Sequence, residues 1–330
     1  MVICKKIIFM LGLLVSQQES LRGIKMRCLV IGGTGFVGSH LVRRLLSEGV
    51  KVTVFSRSGD PSKIMDVKEK VTIERGSITE INEIMDAVKK HDVDHIVYLA
   101  AERPPWTPSN VVKTMIEGFL NVLETARLMD IKRLVWASSY AQLGPPNLYS
   151  QPRVDEEAPL RPKVGHGVSY VVNEFNAQYY RSTYGLDVLG LRLGLVFGPG
   201  RDRLGFMDIL VSLFEDAVLG KKVIVPKGDT VITPQYVKEA ANVLLFGLKV
   251  KRYEHCIFNT CDEAVSLRTL AEYVKEQLPE AQIEVEPGDE TPRVLVDASR
   301  IRKELNYEPK YTVKDGVIDY INYLKGSLKK

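Results

Sequence analysis

Three glycines at intervals of three residues, Gly32, Gly35 and Gly38, stand between a short β-branched run and an amphipathic helical pattern. In such a loop the first glycine permits a tight turn, the second lets the backbone approach a pyrophosphate, and the third lets the helix pack closely on the strand. The helix N-terminus adds unpaired N–H groups and the positive end of its dipole. The spacing therefore predicts a dinucleotide site whose contact residues are Gly32, Thr34, Gly35, Phe36, Val37 and Gly38.

The end of the following strand, at Ser56 and Arg57, indicates which dinucleotide is bound. A site selective for NAD usually has Asp or Glu here to accept hydrogen bonds from the ribose 2′-hydroxyl. A carboxylate would repel a 2′-phosphate, whereas a serine followed by a guanidinium would bind one. We therefore expect NADP or NAD as cofactor, and favour NADP.

The elements that must position these residues alternate along the chain. Helical patterns at about 37–48, 78–90, 109–129 and 169–184 separate short β-branched runs, and strands alternating with crossover helices predict a parallel sheet covered on both faces. The result is an α/β, Rossmann-type doubly wound fold. The predicted strands are Arg27–Ile31, Lys51–Phe55, Val71–Glu74, His95–Leu99, Arg133–Ala137 and Asp187–Leu193.

After Gly198-Pro199-Gly200 the pattern becomes mainly helical, and we interpret this part as a smaller substrate-binding lid over the carboxyl edge of the sheet. Helices are predicted near 206–219, 236–248, 266–277 and 314–326. Strands are predicted near 222–225, 256–259 and 282–285, the second of them returning to the sheet. The predicted organisation is thus an N-terminal extension at 1–25, a dinucleotide-binding domain at 26–196 and a substrate domain at 197–330.

Composition excludes several other classes of function. The chain has 330 residues, a formal net charge of +4 and interleaved basic and acidic residues, which gives nucleic-acid binding no support. Its four cysteines form no C-x-x-C pair, so we expect neither a metal site nor a disulfide framework, and a cytoplasmic location. The apolar run within residues 1–25 is too short to span a bilayer. We interpret it as an extension irrelevant to function, with a membrane-associating leader as the alternative, and expect no stable membrane association.

Together these features resemble the extended short-chain dehydrogenase/reductase superfamily, in its NAD-dependent epimerase/dehydratase branch. The resemblance covers Met26 to about Leu324. Besides the glycine loop, its markers are Leu99-Ala100-Ala101, Ala137-Ser138-Ser139, Tyr170, Arg192, Phe197-Gly198-Pro199-Gly200, Tyr236-Val237 and the segment from Leu305 to Pro309.

The resemblance implies hydride transfer at a carbon that bears oxygen, in a homodimeric enzyme. It places Ser139 on the substrate oxygen and makes the Tyr170 phenol the acid/base. A lysine four residues after the tyrosine normally hydrogen-bonds the nicotinamide ribose and lowers the phenol pKa, which is ordinarily near ~10. Further cofactor contacts are implied for Ser77, Ile78, Leu99, Ala100 and Ala101, as well as for Tyr170.

The largest departure from this family is Glu174, which stands four residues after Tyr170 in place of the lysine. An ionised carboxylate on the same helix face would raise the phenol pKa, by roughly two units at ~6 Å and an effective dielectric of ~20. Three hypotheses follow. Glu174 is neutral or paired and still binds ribose, it is itself the catalytic base, or the protein binds cofactor with little turnover.

Other departures concern the substrate. Leu195 and Ile232 stand where relatives that act on nucleotide sugars usually have an asparagine and a diphosphate-binding arginine, and Met115 and Ser77 replace a common asparagine and aspartate. We therefore expect an NAD(P)-dependent oxidoreductase that acts on a hydroxyl or carbonyl carbon of a small or sugar-like substrate. A nucleotide-sugar epimerase or dehydratase is the first alternative, and a dinucleotide-binding protein with little activity is the second.

Overall fold

A seven-stranded parallel sheet forms the centre of the protein in the computed structural model, which describes residues 26–102, 107–290 and 294–328. The strands of the sheet are β1 (Arg27–Ile31), β2 (Lys51–Ser56), β3 (Thr72–Arg75), β4 (His95–Tyr98), β5 (Arg133–Ser139), β7 (Val188–Leu193) and β12 (Ile257–Asn259). Their order across the sheet is β12-β7-β5-β4-β1-β2-β3. The predicted extension at 1–25 lies outside the described residues.

Helices cover both faces of this sheet. They are α1 (Phe36–Ser47), α2 (Ile81–Lys90), α3, α4 (Gly165–Tyr184), α5 (Met207–Val218), α6 (Val237–Lys249), α7 (Leu267–Gln277), α8 (Ser299–Leu305) and α9 (Val313–Ser327). The label α3 denotes three consecutive segments, Pro108–Asn110, the π-helical Val111–Glu117 and Gly118–Leu128. Short 3₁₀ turns occur at Ser62–Lys70, Tyr140–Gln142 and Pro146–Leu148.

Alternate residues of each strand pack into the two hydrophobic cores on opposite faces of the sheet, because successive side chains of a strand point to opposite faces. Val30 and Val135 pack with α1 and α6 on one face, whereas Leu29 and Leu134 pack with α2 and α3 on the other. Strands buried on both faces read as continuous apolar runs, and this is why they can be predicted well from the sequence.

The remaining strands pair two by two outside the main sheet. They are β6 (Arg153–Val154) with β15 (Leu295–Val296), β8 (Leu195–Phe197) with β11 (Pro234–Tyr236), β9 (Val223–Val225) with β14 (Ile283–Val285), and β10 (Val231–Ile232) with β13 (Val265–Ser266). Side chains of α5, α7 and α9 share one hydrophobic cluster with α1, α6 and one face of the sheet. The division at residue 196 stays a prediction, since no separate core marks it among the described residues.

The predicted doubly wound α/β fold is confirmed. The predicted strands of the main sheet agree with the structure to within two residues at each end. The helix predicted at 169–184 instead begins at Gly165, four residues earlier. No helix among the described residues is long and apolar enough to cross a membrane.

Candidate functional site

The loop after β1 and the loop after β4 lie against each other at the carboxyl edge of the sheet. The strand order departs in both directions from β1, so a crevice opens between β1 and β4, as in other doubly wound sheets. Gly32 has a φ of +82°, and a Cβ there would lie 3.1 Å from the backbone of Leu99 and Ala100. Only glycine therefore fits this turn, and the backbone of two predicted contact residues, Leu99 and Ala100, lies directly against it.

The helix that follows the glycine loop starts without a side-chain cap. Gly35 is its N-cap residue, and no side chain accepts a hydrogen bond from its first turn. The carbonyl oxygen of Gly32 accepts from the N–H of Gly35 at 2.9 Å, and a Cβ on Gly38 would come within 2.2 Å of the same oxygen. The backbone of Phe36, Val37 and Gly38 thus presents N–H donors to the crevice, a cradle that fits a pyrophosphate.

The end of β2 brings a pair of hydroxyl groups together and lies beside two arginines. The hydroxyls of Thr34 and Ser56 are 2.9 Å apart, and Ser56 is buried while Arg57 is exposed. Arg75, at the end of β3, donates from Nε to the Arg57 carbonyl at 3.2 Å. Sequence reasoning missed Arg75 because its proximity to Arg57 depends on the parallel pairing of β2 with β3, in which Ser56 lies opposite Arg75.

Ser77 and Ile78 lie in the loop after β3, at the same edge of the sheet. The Ser77 N–H donates to Glu83 Oε2 at 2.7 Å, and the Ser77 hydroxyl is 2.8 Å from that of Thr79. Ile78 is buried, and its carbonyl accepts from Asn121 Nδ2 at 2.9 Å. These contacts hold in place the loop on which cofactor contacts of Ser77 and Ile78 were predicted.

Glu174 is buried within the protein, where it is 1% exposed. The Arg192 guanidinium donates to both of its carboxylate oxygens, from Nε at 2.8 Å and from Nη2 at 2.7 Å. Ser138 Oγ and Gln142 Nε2 also donate to Oε1, at 2.7 and 2.6 Å. The protein itself thus supplies four donors to this buried carboxylate, which speaks against the hypotheses that Glu174 binds ribose or is the catalytic base.

Tyr170 is half-buried, and the expectation about its pKa needs correction. Burial raises the pKa of the phenol to about 12, and the positive charge of Arg201 acts in the opposite direction. The Glu174 carboxylate does not cause the rise, because Arg192 neutralises it in an ion pair. Arg201 also places its guanidinium carbon 5.2 Å from the centre of the Phe36 ring. This position of Arg201, in the loop after β8, could not be predicted from the sequence.

Ser139 ends β5 and caps the 3₁₀ turn that follows, since its hydroxyl accepts from the Ala141 N–H at 3.1 Å. The first turns of α4 pack against this turn. A Cβ on Gly167 would lie only 2.3 Å from the Ala141 carbonyl oxygen. Gly167 therefore permits the close approach that brings α4 to Ser139.

Two of the residues that argue against a nucleotide-sugar substrate, Ile232 and Met115, are buried in the core. Ile232 is buried in β10, opposite Val265 of β13. Met115 is buried in the π-helical segment of α3, where its sulfur lies 3.6 Å from Ser169 Oγ and its carbonyl accepts from Asn173 Nδ2 at 2.8 Å. A π-helical turn is often found at functional sites. No group of three or more potential metal ligands occurs within the described residues.

Comparison with known proteins places this geometry in context. A model of the NAD dependent epimerase/dehydratase family matches residues 28–259. The dTDP-glucose 4,6-dehydratase of Streptomyces niveus is 26% identical over 325 residues, which cover 91% of this chain and 93% of that protein.

Solved structures with the same fold include enzymes of two kinds. The UDP-glucose 4-epimerase of Thermus thermophilus, in complex with NAD, has a TM-score of 0.77 at 24% identity and covers 92% of this chain and 100% of its own. The L-threonine dehydrogenase of Clostridium difficile has a TM-score of 0.80 at 24% identity and covers 92% and 98%. At these identities the likeness shows the fold.

The buried pair of Glu174 and Arg192 yields a prediction about stability. Glu174→Gln should lower the free energy of unfolding by about 3–5 kcal/mol, because Arg192 would keep a buried charge without a counter-ion. Urea denaturation measures this difference. Glu290→Gln, which breaks the exposed pair with Lys227, is the control and should cost less than about 1 kcal/mol. A loss at Glu174 as small as at Glu290 would contradict a structural role.

Proposed function

Because this chain belongs to the NAD-dependent epimerase/dehydratase family, we propose that it is an NAD(P)-dependent oxidoreductase of the extended short-chain dehydrogenase type. Hydride moves to or from a hydroxyl or carbonyl carbon of a small or sugar-like substrate. One observation carries the proposal: the glycine loop, the end of β5 with Ser139, and the first turns of α4 meet at one edge of the sheet.

The roles of the protein groups follow from this arrangement. A bound nicotinamide dinucleotide supplies the hydride donor or acceptor, and the glycine loop with the start of α1 holds its pyrophosphate. Ser139 hydrogen-bonds the substrate oxygen, and a side chain on the first turns of α4, the segment that carries Tyr170, exchanges the proton. Glu174 has a structural role: with Arg192 it holds α4 on the sheet.

NADP is the preferred cofactor in this proposal. The surface beside Ser56 carries two exposed arginines, Arg57 at the end of β2 and Arg75 at the end of β3, and no carboxylate stands at the end of β2. A 2′-phosphate would bind such a surface through charge-assisted hydrogen bonds. The structural neighbours that are described as dinucleotide complexes contain NAD, so this preference distinguishes the chain from them.

A nucleotide-sugar epimerase or dehydratase is the second candidate. It is favoured by the curated relatives, several of which are named as dTDP-glucose 4,6-dehydratases. The placement of the apolar Ile232 in a buried strand, at the position of the diphosphate-binding arginine, favours the first candidate. A dinucleotide-binding protein with little turnover is the third.

A ligand panel separates these candidates, because a ligand that binds the native state raises the unfolding temperature by mass action. We would test NAD, NADP, UDP-glucose, dTDP-glucose and L-threonine singly and in pairs, and follow nicotinamide absorbance for turnover. Net reduction of free cofactor identifies a dehydrogenase. Conversion of a nucleotide sugar without net change in free cofactor identifies an epimerase or a dehydratase. Binding of cofactor with no conversion at all would leave the third candidate.

The enzyme is proposed to act in the cytoplasm as a homodimer. Val168, Phe175 and Tyr179 lie on one face of α4 at spacings of seven and four, and each is about half exposed or more. Val112, on the neighbouring α3, is also more than half exposed. A second copy of the chain that packs the same two helices against these would bury all four side chains. The three cysteines among the described residues are free, as the cytoplasm would keep them.

The first prediction of this proposal is that Gly35→Asp removes cofactor binding without unfolding the protein. A carboxylate at the N-cap would occupy the approach of the pyrophosphate and repel it. Calorimetric titration with NAD and NADP measures the loss. Gly326→Asp, at a glycine with open space around it, is the control and should bind normally. Unchanged affinity in Gly35→Asp would refute the site.

The second prediction concerns cofactor choice. Arg57→Ala should weaken NADP binding about ten-fold or more and leave NAD binding within about two-fold, because a charge-assisted contact of ~1.5–3 kcal/mol is lost only with the 2′-phosphate. Arg75→Ala should act in the same direction. Arg252→Ala, an exposed arginine before β12 at the opposite edge of the sheet, serves as control. Equal losses for both cofactors would show that Arg57 is structural.

The third prediction concerns the dimer. Phe175→Glu, at a side chain that is 64% exposed, should convert the dimer into a monomer in sedimentation velocity because it places a charge in the proposed interface. Tyr323→Glu, at another exposed aromatic position on α9, should leave the dimer intact. A monomeric parent protein would overturn the proposed association.

A further inference from the structure

Helix α4 carries three side chains at intervals of four residues, His166, Tyr170 and Glu174, and each lies near a different part of the fold. Glu174 lies deepest, on Ser138 and Arg192. The other two remain near the crevice. Because the helix turns by about 40° more than a full circle over four residues, each side chain is displaced from the one before. The surroundings of His166 and Tyr170 therefore have to be considered one at a time.

The first turn of α4 lies against the turn that contains Ser139. Gly167, the residue after His166, has its Cα so close to the Ala141 carbonyl that a Cβ would lie 2.3 Å from the oxygen. Ala141 in turn donates its N–H to the Ser139 hydroxyl at 3.1 Å. The His166 carbonyl accepts from Ser169 Oγ at 2.7 Å, which ties the first turn together. His166 is thus held at the end of α4 that faces the predicted substrate-oxygen site.

Tyr170 lies towards the dinucleotide loop. The charge of Arg201 acts on its phenol, and Arg201 stacks on Phe36, the first residue of α1. Tyr98, the last residue of β4, interacts electrostatically with the same phenol. The His166 and Tyr170 rings meet edge to face with their centres 6.5 Å apart. The two side chains are therefore neighbours, with Tyr170 on the cofactor side.

We propose that His166 is the residue that exchanges the proton with the substrate oxygen, and that Tyr170 takes the ribose-binding position which the family gives to a lysine. The family places that lysine four residues after its acid/base, and His166 stands four residues before Tyr170. The inference rests on the proposed oxidoreductase function and deepens it, because it assigns the catalytic group of that site.

The chemistry balances in the direction of alcohol oxidation. The substrate O–H bond breaks, and its proton goes to the neutral imidazole of His166. The electron pair of that bond forms the new C=O bond, and the hydrogen of the C–H bond leaves with both electrons as hydride to the nicotinamide of NAD⁺ or NADP⁺. The alcohol is oxidised to a carbonyl and the cofactor is reduced. In the reverse direction the imidazolium donates the proton to the forming alkoxide.

Acid/base strength favours the imidazole over the phenol. An imidazole ordinarily titrates near ~6.5, so a large part of it is the free base at neutral pH. The pKa of Tyr170 is about 12, because burial outweighs the effect of Arg201. A phenol with that pKa stays protonated at neutral pH and donates a hydrogen bond, which suits a ribose hydroxyl but not a base.

Several charged and phenolic groups lie on the described elements around this pair. Within the described residues, the elements packed against α4 carry Tyr140 on the 3₁₀ turn, Lys113 and Glu117 on the π-helical segment, Glu124 and Arg127 further along α3, Arg133 on β5 and Arg192 on β7. Tyr98 on β4 and Arg201 after β8 interact electrostatically with the Tyr170 phenol. Lys113 and Glu117 are exposed, so water screens them. Arg201 is the cation that acts on the phenol.

The first experiment measures by NMR how bound cofactor changes the pH titration of the His166 imidazole, and it needs no substrate. The chain has five histidines, so the imidazole proton signals in an NMR spectrum can be assigned by substitution, with His166→Gln removing one of them. Saturating NAD or NADP should shift the titration midpoint of that signal. The His255 signal, from an exposed histidine paired with Glu304, should not move. A His166 signal that ignores bound cofactor would overturn the proposal.

The second experiment separates binding from turnover. His166→Gln should keep the Kd for NADH and NADPH within about two-fold while kcat for the panel compound that the parent converts falls about a hundred-fold or more. Tyr170→Phe should weaken cofactor binding about three- to ten-fold, the effect of one neutral hydrogen bond, and retain most of kcat. The opposite pattern, with kcat lost in Tyr170→Phe and kept in His166→Gln, would overturn the assignment.

The pH profile of the parent gives a third criterion. For oxidation, kcat/KM should rise with pH through the range of an imidazole and then level off, since the neutral base is required. A phenol with a pKa of about 12 would instead give a rate that still rises through the alkaline range. His255→Gln should leave the profile unchanged. If the parent binds no nicotinamide cofactor at all, the proposed function itself fails, and this outcome differs from a failure of the His166 assignment alone.

Discussion

The ion pair between Glu174 and Arg192 determines how α4 sits on the sheet. Arg192 belongs to β7 and lies opposite Ser138 of β5, and both donate to the same carboxylate. A buried charge without its partner is costly, so the pair tolerates little sliding or rotation of the helix. The ion pair thereby fixes the direction in which the earlier side chains of α4 point, including His166 and Tyr170 near the crevice.

A second constraint acts where backbones approach more closely than a Cβ would allow. Gly32 touches the β4 loop, Gly38 the glycine loop itself, and Gly167 the turn after Ser139. The contacts of Gly32 and Gly167 join segments that lie far apart in the sequence. The contact of Gly38 closes the glycine loop on the start of its own helix. Together they bring the dinucleotide cradle, the Ser139 turn and α4 to one edge. The ion pair fixes the orientation of α4, and the glycines permit its distance from the neighbouring turn.

Much of this could be predicted from the sequence, and the failures have physical causes. Strands buried on both faces appear as continuous apolar runs, and the glycine spacing identifies the dinucleotide loop. The start of α4 was missed because Gly165 and Gly167 each disfavour a helix by about 1 kcal/mol relative to alanine. Packing against Ala141 overrides that preference. Because the predicted helix starts four residues too late, His166 falls in a predicted loop. The partner of Glu174 was missed because it depends on the pairing of β5 with β7.

The absence of a lysine at position 174 then takes on a different meaning. In the family one ammonium group both binds the ribose and lowers the pKa of the catalytic phenol. Here a hydroxyl on Tyr170 can bind the ribose, and Arg201 supplies a positive charge from a different element. An imidazole, unlike a phenol, needs no cation to lower its pKa before it can act as a base at neutral pH. A site whose acid/base is a histidine therefore keeps its catalytic base when the lysine is absent. This explains chemically how His166 and Tyr170 can together replace the tyrosine and the lysine of the family.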